Sequence, residues 1–136
     1  MSESIKIQAE AAYAIARTFS DIADRILELR ITAPDVDDEQ ARELERHEDQ
    51  VRMFVVLFRK HGTLLLGEGA AQAAADLSGA IGEARDALQD IAQIKRALRI
   101  AGAVVALTIA LQAGKVKAVS KAITAVVDTA KQPATA

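Results

Sequence analysis

His47 and His61 are the side chains in this sequence best suited to acid–base or metal chemistry. Both fall on one helical stripe, fourteen residues apart, which on a single helix is roughly 21 Å. That separation is too large for one metal ion. A dinuclear site in a helical bundle places a glutamate three residues before each ligating histidine. Those positions hold Leu44 and Phe58, and Glu43, four residues before His47, makes an ordinary neighbour on a helix surface. The chain has no cysteine, which excludes disulfides, thiolate metal sites and thiol nucleophiles.

Other motifs are equally bare of chemistry. The acidic run Asp35, Asp37, Asp38, Glu39 lacks the alternating ligands and central glycine of a calcium loop and reads as the start of a helix. Gly62, Gly67 and Gly69 punctuate a loop that lacks the Gly-Lys-Ser/Thr ending of a phosphate loop. No nucleophile elbow, dinucleotide fingerprint or HExxH motif occurs. The sequence therefore assigns no catalytic residue, cofactor ligand or metal ligand, and it reads as a non-enzyme.

The most distinctive charge pattern lies between Ile91 and Val127, which holds six basic residues and no acidic one. Projected on one helix, Lys95, Arg96, Arg99, Lys117 and Lys121 share an arc about 100° wide. Between the two basic groups, Ile100 to Ala113 is apolar on every side. A segment of this kind suits a buried or oligomer-facing helix whose charged ends emerge into water. The alternative is a helix or hairpin that docks on an anionic membrane surface through its basic flanks. Nucleic acid is disfavoured by the net charge of −2 and by the absence of aromatic residues after Phe58.

These segments must be carried by helices. The chain has 136 residues, half of them hydrophobic, and 29 are alanine, the strongest helix former. Ile5, Ala12, Phe19 and Ile26 repeat every seven residues, with Ile15, Ile22 and Leu29 between them, which predicts a helix from about Ser4 to Arg30. Pro34 breaks it, and Asp35 is the expected cap of a second helix over about 36–60. The stretch Met53 to Phe58 has strand-like propensity but continues the Leu44, His47, Val51, Phe54, Phe58 stripe. It reads as helix that is apolar on nearly every side, and such a helix needs cover from several neighbours. Residues 61–69 form a connector whose Leu64, Leu65 and Leu66 should pack under a helix end.

From Ala70 to Lys131 the apolar repeat keeps one phase. Leu77, Ala84, Ile91, Leu98, Val105, Gln112, Val119 and Val126 form one series. Ala74, Ile81, Leu88, Lys95, Gly102, Ile109, Val116 and Ile123 form the other. A common phase over so many heptads favours one coiled-coil-like helix of roughly 90 Å. A helix pair broken near Gly102 or Gly114 is the competing arrangement. Residues 132–136 are expected to fray.

The expected fold is thus a single all-α domain. In it, an elongated bundle packs a helical hairpin (4–60) on the C-terminal helix or helix pair (70–131). Two short helices cannot cover a 90 Å partner. The stripe Leu98, Val105, Ile109, Val116, Val119, Ile123 is therefore the expected interface with a second copy or a helical protein partner. Residues 1–69 carry 9 basic and 14 acidic side chains, and residues 70–136 carry 8 and 5, a complementarity that suits such packing. No basic region followed by an apolar run opens the sequence, so the expected location is cytoplasmic, with membrane association under the alternative.

Overall fold

The computed structural model of the chain describes residues 4–7, 9–91 and 93–132. Five helices and a two-stranded ribbon make up the fold: β1 (Ser4–Ile7), α1 (Ala9–Thr32), α2 (Asp38–His61), β2 (Thr63–Leu66), α3 (Ala70–Gln89), α4 (Ile94–Ala113) and α5 (Val116–Lys131). The helices pack side by side in a closed ring, in the order α1, α2, α4, α5, α3 and back to α1. Their inward faces form one apolar core that includes Phe19, Phe54, Phe58, Leu77, Ile81, Ile100 and Val119.

The all-α bundle expected from the sequence is present, and the α1–α2 hairpin breaks at Pro34 as predicted. Its local details differ. Asp37, not Asp35, caps α2: its carboxylate accepts the Gln40 amide at 2.8 Å, and the Gln40 side chain returns the bond to the Asp37 backbone at 3.1 Å. Asp35 sits against the start of α4, where it accepts from the Ile94 amide at 3.5 Å. Residues 4–7 are strand and not the first turn of α1. They pair antiparallel with β2, Ser4 opposite Leu66 and Ile7 opposite Thr63. Ile5 and Ile7 alternate with Ser4 and Lys6 at the strand period, and a partner of equal length was available in the leucine-rich connector. In β2 the inward Leu65 is buried while Leu64 and Leu66 stay exposed, so only one of the three leucines packs as expected.

The continuous C-terminal helix does not form. The chain leaves α3 at Asp90 and enters α4 at Ile94, and it turns again at Gly114–Lys115. The break near Gly114 was one of the two expected alternatives; Gly102 lies inside α4. Gly114 adopts the left-handed conformation with φ of 76°, a backbone state that costs residues with a Cβ about 1–2 kcal/mol. The turn at Asp90 has no glycine. It is held from a distance by Arg25 of α1, whose guanidinium donates to the carbonyls of Leu88 at 2.8 Å, Ile91 at 3.0 Å and Gln89 at 3.3 Å. The last carbonyls of a helix have no partner within it, so an arginine delivered by another helix can end one.

The turn also resets the phase of α4. Its buried line is Ile94, Ala97, Ala101, Val104, Thr108 and Leu111, alternating steps of three and four, and not the Leu98–Val105 line predicted from the run of heptads. In α3 and α5 the predicted lines are the buried ones: Leu77, Ile81, Ala84 and Leu88, then Val116, Val119, Ile123 and Val126.

Candidate interaction surface

Three of the six residues expected at an interface are enclosed by their own chain. Val116, Val119 and Ile123 lie in the core of α5, between α3 and α4. Leu98 and Val105 are half-buried on the flank of α4, and Ile109 is 55% exposed. The stripe is therefore not a continuous surface. The reason is the turn at Gly114, which folds α5 back along α4 and supplies the cover that a straight helix would have required from a second subunit.

The basic arc is divided by the same turn. Lys95, Arg96 and Arg99 stand at the start of α4, whereas Lys117 and Lys121 stand at the start of α5, beside the other end of α4. Because both groups are inset from the ends of α4, they stand roughly 20 Å apart along the helix axis. Arg96 points to the end of α5, where it donates to the Ala130 carbonyl at 3.0 Å and acts as a C-terminal cap. Ile100, Ala101, Val104, Leu107 and Leu111, the residues that a membrane would have to receive, fill the core. Among the described residues, no helix is long and apolar enough to cross a membrane.

Several charged side chains of the N-terminal hairpin are paired with one another. Glu48, almost fully buried, accepts from Arg52 at 2.8 Å and from Arg30 at 3.1 Å, and Arg52 also reaches Asp24 at 3.1 Å. The Glu48 carboxylate beside it raises the Arg52 pKa above its ordinary value. Burying one of these charges without the others would be very unfavourable, so the network acts as a clamp that fixes α1 against α2. Glu48 and Arg52 are four residues apart on one helix, a local pair, whereas Arg30 arrives from the other helix.

His47 lies in the seam where α2 runs alongside α4, with its Nε2 3.7 Å from the Glu43 carboxylate. Burial strips water from the imidazolium and lowers its pKa below 6.5; Glu43 opposes that shift and Arg46 adds to it. A histidine that resists protonation when folded contributes stability above pH 6.5. That contribution is lost as pH falls from 6.5 through the lowered folded value. The expected result is that urea unfolding shows a larger stability loss between about pH 7.5 and pH 5.5 for the wild type than for His47→Gln. Equal losses would remove His47 from the pH response. His61 is exposed at the end of α2, so the two histidines do not converge. Among the described residues, no group of three or more histidines or carboxylates is placed to hold a metal ion. The groove between α3 and α5, about 400 Å³, is open and lined by Asp76, Glu83 and Asp128 among small residues such as Ala75 and Gly79.

The surface feature that stands out is on α2. Val51, Phe54, Val55 and Phe58 enter the core, but Met53, Val56 and Leu57, from the same apolar run, face outward at 48%, 64% and 39% exposure. α2 and α4 run parallel, because Gln50 donates to Thr108 at 3.4 Å and to Gln112 at 3.3 Å while His47 lies beside Gly102. This register sets Ile109 next to the Gln50 contact, with Met53 and Leu57 one and two turns farther along α2. Cover from several neighbours was expected for this run; α1 and α4 supply it on two sides only.

No family model, curated protein or solved structure matches the chain.

Proposed function

We propose that the chain is a non-enzymatic helical module that assembles through the uncovered apolar face of α2. The observation that carries this reading is the exposure of Met53, Val56 and Leu57 together on one face, outside a core that the same helix otherwise completes. Single exposed apolar residues are common and need no explanation. Three within five residues on one helix face form a patch of the kind that marks an interaction site. The paired charges around Glu48, the separated histidines and the open grooves offer no comparable constellation for catalysis.

The expected result is a light-scattering mass that is a multiple of 14.5 kDa at tens of micromolar. Val56→Asp should return the particle to the mass of one chain with its helical circular dichroism intact. Its side chain is mostly in water in the single chain but would become a buried, unpaired charge on assembly. A wild-type mass of one chain at that concentration would overturn self-assembly as the function of this face.

A further inference from the structure

The charges bordering the α2 patch specify how a second copy would sit on it. Asp49 and Lys60 are eleven residues apart, within 20° of three full helical turns, so they lie on one line along the helix with Met53 and Val56 between them. Both are exposed, and among the described residues neither makes an ion pair within its own chain. The helix as a whole is acidic in its first turn, at Asp38 and Glu39, and basic in its last, at Arg59, Lys60 and His61.

We infer that two copies of the chain pair through α2 in antiparallel fashion, about a two-fold axis that passes between Met53 and Val56. This rests on the assembly reading above and adds its geometry. An axis at that point sets Met53 of one copy against Val56 of the other. It sets Asp49 of each copy opposite Lys60 of its partner, so the apolar centre is closed at both ends by an opposite-charge pair. Arg46, one turn before Asp49, comes level with residue 63 of the other copy, beyond its helix end. A parallel pairing would oppose Asp49 with Asp49 and Lys60 with Lys60, and would align the two helix dipoles; the antiparallel one opposes unlike ends in both respects. With two apolar side chains per copy at its centre and one charge pair at each end, the contact is expected to have a dissociation constant of about micromolar order.

Charge reversal tests the arrangement, with sedimentation equilibrium as the readout. Asp49→Lys or Lys60→Asp alone places like charges opposite one another at both ends of the contact, and each should weaken dimerisation by about tenfold or more. The double variant Asp49→Lys/Lys60→Asp restores opposite charges and should return the dissociation constant to within about threefold of wild type. Both changes lie on exposed positions, and circular dichroism melts of each variant report whether the fold is kept. A dimer that loses stability with Val56→Asp but is not rescued by the double reversal would refute the antiparallel pairing and leave assembly through α2 standing. A wild type that stays monomeric would refute both.

Discussion

Phe54→Ala should lower the unfolding free energy by about 3–5 kcal/mol, the usual cost of truncating a fully buried aromatic residue. Phe54 is 1% exposed and lies between two other rings. Its centroid is 5.1 Å from that of Phe19, edge to face, and 5.4 Å from that of Phe58. Removing it takes away the central member of the stack that joins α1 to α2 and leaves a cavity that neither rigid neighbour can fill. Met53→Ala, one residue earlier, is the matched control. Its side chain faces outward, so the expected change in the single chain is within about 0.5 kcal/mol. Urea unfolding at sub-micromolar concentration, monitored by circular dichroism, compares the two. Similar losses would mean that α2 presents a different face to the core.

Two glycines in α4 and its turn should respond to alanine with opposite signs. At Gly114 the backbone is left-handed, and a Cβ would overlap the carbonyl oxygen of Leu64. The conformational cost of about 1–2 kcal/mol is joined by the displacement of β2, whose Leu66 amide donates to the Gly114 carbonyl at 2.6 Å. We expect Gly114→Ala to cost roughly 3 kcal/mol or more in total. At Gly102 the backbone is helical and an added Cβ would meet only the His47 Nε2, at 3.9 Å, an ordinary contact. Gly102→Ala should raise stability by up to about 1 kcal/mol. Thermal unfolding of both variants checks the pair, and a stabilising Gly114→Ala would contradict the described turn.

The contrast between these glycines indicates how much of the fold could be read from the sequence. Helical periodicity, the Pro34 break and the apolar stripe of α2 are local signals, and each corresponds to an observed element. Gly102 and Gly114 look alike as residues in an alanine-rich run. What separates them is the Leu64 carbonyl, fifty residues away in the chain. The turn at Asp90 is harder still, because its determinant is Arg25, which on a helical wheel is one more surface charge. Once that turn is present, α4 is free to rotate about its axis, and a segment apolar on every side offers no unique phase. One signal was nonetheless available: Lys95, Gly102 and Gln112, the three poorest members of the predicted seam, all fall in α4. The interface expected along that seam depended on a helix that does not exist, so half of its residues are in the core. The uncovered part of α2 was legible as a demand for cover, though not as the demand that would go unmet.

The ring arrangement has a consequence for the order in which the molecule can be completed. Its sequence of neighbours is not the sequence of synthesis: α5, made after α3 and α4, is inserted between them, and those two helices touch each other little. Until then the nascent chain holds an open slot between α3 and α4, wide enough for a helix and apolar enough to capture the wrong one. The sixteen residues of α5 therefore act as a keystone, and the interval before they leave the ribosome is when the ring is most exposed to mispairing.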